Sequence, residues 1–397
     1  MRNFRKLSLV LALGVAAAVA ACGDDDNIVR ERPDGGSAEA SIDAAVEAGP
    51  GTLACGVTVP ATYESPNFAV NAKAELDMKA RFTELQQKMK SAEGTGTAVV
   101  TAAELNAIFT AGTPSLRFVS TAAAQARVDD YITQFGAIAV AGGKTWTPAD
   151  ATAEAGAPNG GKYESANIFS ATGVDLREGI AKTLLGGALY NHAVALSTGA
   201  ITEATVDQFL AVFGATTKLA NRTDADAGLD EKDELVAEYA ARRDSKVGAP
   251  GPYRKIKGAL LVAKAAAAGG EKCRADLDAA LKVYFKEWEK ASYLTVIFYL
   301  NAAASSATAN PIKGAAALQG FGEAAGFVQS FKGIPQDRRL ITDAQIDKLA
   351  DSIGAATPYK LVTDTASRLV AFNDAFLQIG AIYGLTSLEI EEAKKTY

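Results

Sequence analysis

The stretch from Arg274 to Ser305 reads RADLDAALKVYFKEWEKASYLTVIFYLNAAAS. Tyr284, Phe285, Trp288, Tyr293, Phe298 and Tyr299 recur in it at helical spacing. Rings placed this way pack between helices far more often than they line a ligand box, so the stretch predicts one long helix with an inter-helix face. The same three- and four-residue rhythm continues outward on both sides. Towards the C-terminus it predicts helices over Pro311–Phe331, Thr342–Ser352 and Tyr359–Tyr383, with a last short one from Ser387. Towards the N-terminus it predicts Pro252–Ala268, Lys232–Arg243, Thr202–Leu219, Asp175–Leu196, Ser120–Ile138, a short helix from Thr101 and one over Val70–Lys90. In the last of these Val70, Ala74, Met78, Phe82, Leu85 and Met89 share a face, while Lys73, Lys79, Glu84, Gln87 and Lys90 face out.

Punctuation supports these limits. Thr101-Ala102-Ala103-Glu104 and Thr342-Asp343-Ala344-Gln345 are capping boxes, in which hydroxyl and N3 side chain each satisfy a free backbone amide. Gly269-Gly270 ends one helix and Pro311 opens another. No strand-like alternation of useful length is present, so the fold class is all-α: a helical bundle, or two bundles side by side. Residues 142–172, rich in Gly, Pro, Asn and Thr around Pro158-Asn159-Gly160-Gly161, form the one long internal loop, either a plain connection or a functional rim or hinge.

The N-terminus is of another kind. Arg2, Arg5 and Lys6 precede an apolar run from Leu7 to Ala21, too short for the roughly twenty residues that span a bilayer. It ends in Val19-Ala20-Ala21-Cys22, small residues before a cysteine as in a lipobox. Residues 1–21 are therefore expected to be a signal peptide and Cys22 the lipidated N-terminus, a membrane anchor because several acyl chains on one residue hold firmly. Gly23 rather than Asp leans the sorting towards the outer membrane. Residues 22–54, dominated by Asp, Glu, Gly, Ala, Ser and Pro, are expected to be a disordered tether, leaving 55–397 as the helical domain.

Composition narrows the chemistry. Cleavage after Ala21 removes three cations and no acid, moving the formal charge from -6 to -9, which argues against nucleic-acid binding. Cys55 and Cys273 remain in the mature chain, either joined as a disulfide or as two thiols. The single histidine, His192, lies in KTLLGGALYNHAVAL, which excludes His-rich zinc sites and leaves a Ser-His-Asp triad without a partnered base. Phosphate-binding loop and nucleophile-elbow motifs are missing. Asp224, Asp226, Asp230, Glu231, Asp233 and Glu234 crowd one segment, but Gly228 falls late and the closing Glu of a calcium loop is lacking, so the segment reads as a solvated acidic loop. No metal site or cofactor follows from these residues.

Several motifs together resemble a family. VPATYE from Val59, AELDMKARFTEL from Ala74, IAKTLLGGALYNHA from Ile180, WEKASYLTVIFYLN from Trp288 and GFGEAAGFVQSFKGIP from Gly320 agree in order and spacing with the bacterial lipoproteins grouped as domain of unknown function 4856. That family is distantly similar to the imelysin-like helical proteins. Where the family carries a Glu-His-His, this chain aligns Glu203 and Asp207 with acidic positions and has Ala204 and Thr205 where the histidines stand. Gln319 replaces a second histidine ahead of Gly322-Glu323. The resemblance implies an envelope protein connected to metal or haem acquisition, or an imelysin-type peptidase or metal-dependent enzyme using carboxylates. With the histidines lost, Glu203, Asp207 and Glu323 are expected to act as buried polar struts and His192 as a core histidine. The expectation is a lipid-anchored, non-catalytic helical domain that meets the membrane through Cys22 and binds a protein or small molecule.

Overall fold

The structure, a computed structural model, describes residues 51–95, 98–140, 145–152, 160–164, 167–220, 232–244 and 251–395. The expected signal peptide, Cys22 and most of the expected tether lie outside the described residues. The folded chain begins ahead of Cys55: Thr52 pairs with Thr58, and Leu53 is buried and donates its N–H to the Val57 carbonyl.

The protein is all-α. In chain order the helices are α1 (Phe68–Asn71), α2 (Lys73–Lys90), α3 (Ala102–Thr110), α4 (Leu116–Val119) and α5 (Ala122–Val140). After a small hairpin, β1 (Gly161–Lys162) and β2 (Ile168–Phe169), come α6 (Leu176–Leu184), a π-helical turn (Leu185–Tyr190), α7 (Asn191–Leu196), α8 (Glu203–Phe213) and α9 (Leu235–Arg243). The last group is α10 (Pro252–Gly269), α11 (Arg274–Ala307), α12 (Gly314–Ser330), α13 (Asp343–Ile353), α14 (Lys360–Thr363), α15 (Thr365–Tyr383) and α16 (Ser387–Ala393).

At 34 residues, α11 is about 51 Å long and buries side chains on every face, which places it at the centre. It packs against α9, α10, α12, α15 and α16. Tyr284, Phe285, Trp288 and Tyr293 are buried; Trp288 meets the rings of Tyr190 and Phe213 edge-on at 5.3 and 5.2 Å. The expected capping boxes at Thr101/Glu104 and Thr342/Gln345 are both present.

Some expected limits move for local reasons. The helix from Thr202 stops at Phe213 because Gly214 turns left-handed (φ 94°), where an added Cβ would lie 2.3 Å from the Glu234 carbonyl. Pro311 does not open α12. That helix starts at Gly314, whose amide and that of Ala315 donate to the Glu164 carboxylate at 3.3 and 3.1 Å. The described parts of the 142–172 segment are a packed cap, not a loose rim. Trp146 is fully buried against Tyr163 and Phe169, each 5.9 Å away, and β1 pairs with β2 in antiparallel register.

The helix expected over Asp175–Leu196 carries a π-helical turn within it. Gly186 and Gly187 permit it: a Cβ on either would lie 2.4 Å from Ser330 Oγ or Ala124 Cβ respectively. The Gly187 carbonyl accepts from Thr121 N–H at 2.8 Å, and Tyr190 Oη donates to the Arg338 carbonyl. Such turns are frequent beside functional sites.

Candidate functional site

Immediately before the π-turn, α6 reads LREGIAKTL and buries three charged residues, Glu178 and Lys182 almost completely and Arg177 largely. Burying a charge is costly unless it is paired, and here the pairs form a chain. Glu93 accepts from Arg177 Nε at 2.6 Å, and Arg177 Nη1 lies 2.7 Å from Glu178 Oε1. Glu178 Oε2 accepts from Lys182 Nζ at 2.8 Å, and Lys182 lies 3.6 Å from Glu323 of α12. The ammonium also stands 5.3 Å from the centre of the Tyr239 ring and 5.9 Å from that of Tyr299, within cation–π range. Asp175, fully buried, caps α6 by accepting from Glu178 N–H at 3.0 Å and also accepts from Asn167.

The acids outnumber the bases in this chain, and protonation settles the difference. Burial pushes the Glu323 carboxyl up to about 8, with Glu178 adding to the effect and Lys182 opposing it. Burial likewise raises Asp175 to about 8, reinforced by Glu93 and Glu178. For Glu178 burial works in the same direction, but Lys182 and Arg177 outweigh it and hold the group at about 2. Near neutrality Glu323 and Asp175 therefore carry protons, while Glu178 stays ionised between Lys182 and Arg177.

This chain lies beside a cavity of about 340 Å³ between α2, α6 and α9. Gln86, Gln87 and Lys90 come from α2, Arg177, Glu178 and Lys182 from α6, and Glu238 and Tyr239 from α9; Phe82 and Leu235 supply apolar surface. Gln86 Nε2 is buried with no hydrogen-bond partner. The volume is at the low end of the roughly 300–1,000 Å³ of small-molecule sites, and the wall is more polar and charged than is usual for them.

The expected site residues do not converge on this cavity. Asp207, fully buried, accepts from Tyr63 Oη, Ser65 Oγ, Asn71 Nδ2 and Lys264 Nζ, all at 2.7 Å. Burial opposes its ionisation, yet these donors hold its pKa below the usual carboxylate value. It is a strut, as expected, fixing the segment from Tyr63 to Asn71 onto α8 and α10. Glu203 is not: its side chain is exposed in the first turn of α8, where a negative charge suits the helix dipole, and only its carbonyl accepts from Lys264. His192 is a core histidine, its Nε2 3.0 Å from Glu75. Glu323 alone belongs to the charged chain beside the cavity.

Cys55 and Cys273 form a disulfide. Among the described residues, the group of acidic, cysteine and histidine donors close enough to share an ion is Cys55, Cys273 and Asp276, and its two sulfurs are already bonded to each other. Asp233 departs from the solvated acidic loop expected of its segment: it is buried, accepting from Tyr253 Oη at 2.7 Å and Thr216 N–H at 3.0 Å. Glu234 pairs with Lys79, and Asp224, Asp226, Asp230 and Glu231 lie outside the described residues. Sequence reasoning passed over Glu93, Arg177, Glu178 and Lys182, although three charges within one turn and a half of a helix that is otherwise apolar were a usable signal. Comparison with protein-family models, curated proteins and solved structures gives no match.

Proposed function

We propose that this is a lipid-anchored protein of the cell envelope whose helical domain binds a small polar organic molecule in the cavity between α2, α6 and α9. The observation that carries the reading is the cavity itself, in which fixed charges of both signs stand beside apolar side chains and an unpartnered Gln86 amide. An amphoteric ligand, with an ammonium and a carboxylate on a short apolar frame, matches such a wall. Binding rather than turnover is favoured because the buried charges are committed to one another, so they are set for recognition and held by their partners. The lipobox at Cys22 supports the anchoring, and the disulfide suits an oxidising compartment.

Titration calorimetry of the mature protein with amino acids and short peptides tests the binding. Gln86→Leu should weaken a bound member of the panel about tenfold, the loss of one hydrogen bond to a charged group. No heat from any member of the panel would sink the proposal. The anchoring is tested separately: Cys22→Ser should abolish palmitate labelling and move the protein out of the membrane fraction.

A second reading has one observation in its favour. Glu178 at about 2 and Glu323 at about 8 are two carboxyl groups with separated acidities, the arrangement of an acid–base pair. Hydrolysis of a peptide panel that Glu178→Gln eliminates would favour an enzyme over a binding protein.

A further inference from the structure

A second cavity, of about 240 Å³, lies between α11 and the turn that follows α12. Lys282 and Lys286, one helical turn apart on α11, stand on one side with Phe285 between them; Arg338 and Arg339 stand on the other. The chain as a whole is acidic, with a formal charge of -6, so four cations around one small cavity run against its general sign. Of the two acids that also line it, Asp337 is largely exposed and 3.4 Å from Arg338. Glu289, fully buried, already accepts from Leu340 N–H at 2.7 Å, Ile341 N–H at 2.8 Å and Tyr383 Oη at 2.7 Å.

The frame is rigid and one donor is left over. Glu289 fixes the turn to α11, and Tyr190 of the π-turn holds the Arg338 carbonyl. Within this frame Arg339, with a side chain only 3% exposed, donates Nε to the Ile334 carbonyl and Nη2 to Asp343, each at 2.8 Å. Its Nη1 is buried with no partner. A buried guanidinium nitrogen without an acceptor is costly, and a small turn of the Arg339 side chain towards an oxyanion in the adjoining cavity would remove the cost. We infer that this cavity is an anion site for a phosphate group, carried either by a soluble phosphate monoester or by the headgroup of an anionic phospholipid.

The test uses the mature lipidated protein in zwitterionic detergent, titrated with inorganic phosphate and glycerol 3-phosphate against sodium chloride of equal ionic strength. In parallel the protein is reconstituted in phosphatidylglycerol or phosphatidylcholine bilayers, and amide exchange is followed over residues 336–341. A saturable rise in melting temperature with either phosphate identifies a soluble ligand. Protection of 336–341 in phosphatidylglycerol alone identifies a headgroup. In either case Lys286→Glu, an exposed substitution that should leave folding intact, must weaken the effect about tenfold or more, while Gln86→Leu in the first cavity leaves it unchanged. Equal responses to phosphate and chloride together with equal exchange in the two bilayers, or a response indifferent to Lys286→Glu, would overturn the inference.

Discussion

Truncating Asp207 would strand four donors at once, one of them the buried ammonium of Lys264. Removing one partner of a buried ion pair costs about 3–5 kcal/mol, so Asp207→Ala should lower stability by that order in urea titration. A loss below about 1 kcal/mol would mean that the donors find water instead. Glu323 behaves in the opposite sense with pH. Its folded value of about 8 exceeds the unfolded value of about 4.3, so between them the folded protein holds a proton that the unfolded chain has released. Its contribution is complete below the unfolded value and lost as pH rises through about 8. Asp175, next in the cluster, adds to the same slope, whereas the lowered Glu178 matters only as pH falls from about 4 towards 2. Melting temperatures should therefore decline between pH 5 and 8, and Glu323→Gln should flatten the decline by about 1–3 kcal/mol of stability. An unchanged slope in the variant would show that Lys182 keeps Glu323 ionised throughout.

At the scale of elements, the π-turn is the sensitive feature. Gly187→Ala places a methyl 2.4 Å from Ala124 Cβ, and since neither backbone can yield cheaply, overpacking should cost about 1–3 kcal/mol in chemical denaturation. Wild-type stability would instead show that α5 and the turn can slide apart. This element also marks where sequence reading stops. The central helix was legible almost to the residue, since its aromatic rings and apolar faces leave no other packing for it. The π-turn was not, because the same Leu-Gly-Gly-Ala-Leu-Tyr sequence fits an α-helix, and only contact with Ser330 and Ala124 decides between them. The start of α12 was missed for the same kind of reason: its cap, Glu164, comes from a distant hairpin. The site divides likewise. The strut role expected of Asp207 came from the family resemblance, which gave the same role to the exposed Glu203, and the pairing of Arg177 with Glu93 and of Lys182 with Glu323 joins segments far apart in sequence.

Across the whole molecule, the disulfide links the first turn of the folded chain to the N-terminus of α11, 218 residues on. Closing so long a loop restricts the unfolded chain strongly, so Cys55→Ser with Cys273→Ser should cost about 2–5 kcal/mol in equilibrium unfolding under non-reducing conditions. Equal stability of variant and wild type would place the constraint on a state already compact when unfolded.

The same bond decides where a mechanical load enters. Tension arriving from the N-terminal side passes at Cys55 directly to Cys273, so everything between them, including α1 to α10 and the cavity between α2, α6 and α9, lies in a covalently closed loop off the line of force. The pull is received at the foot of the longest helix, and that cavity is spared from being drawn open by a force applied from the N-terminal side.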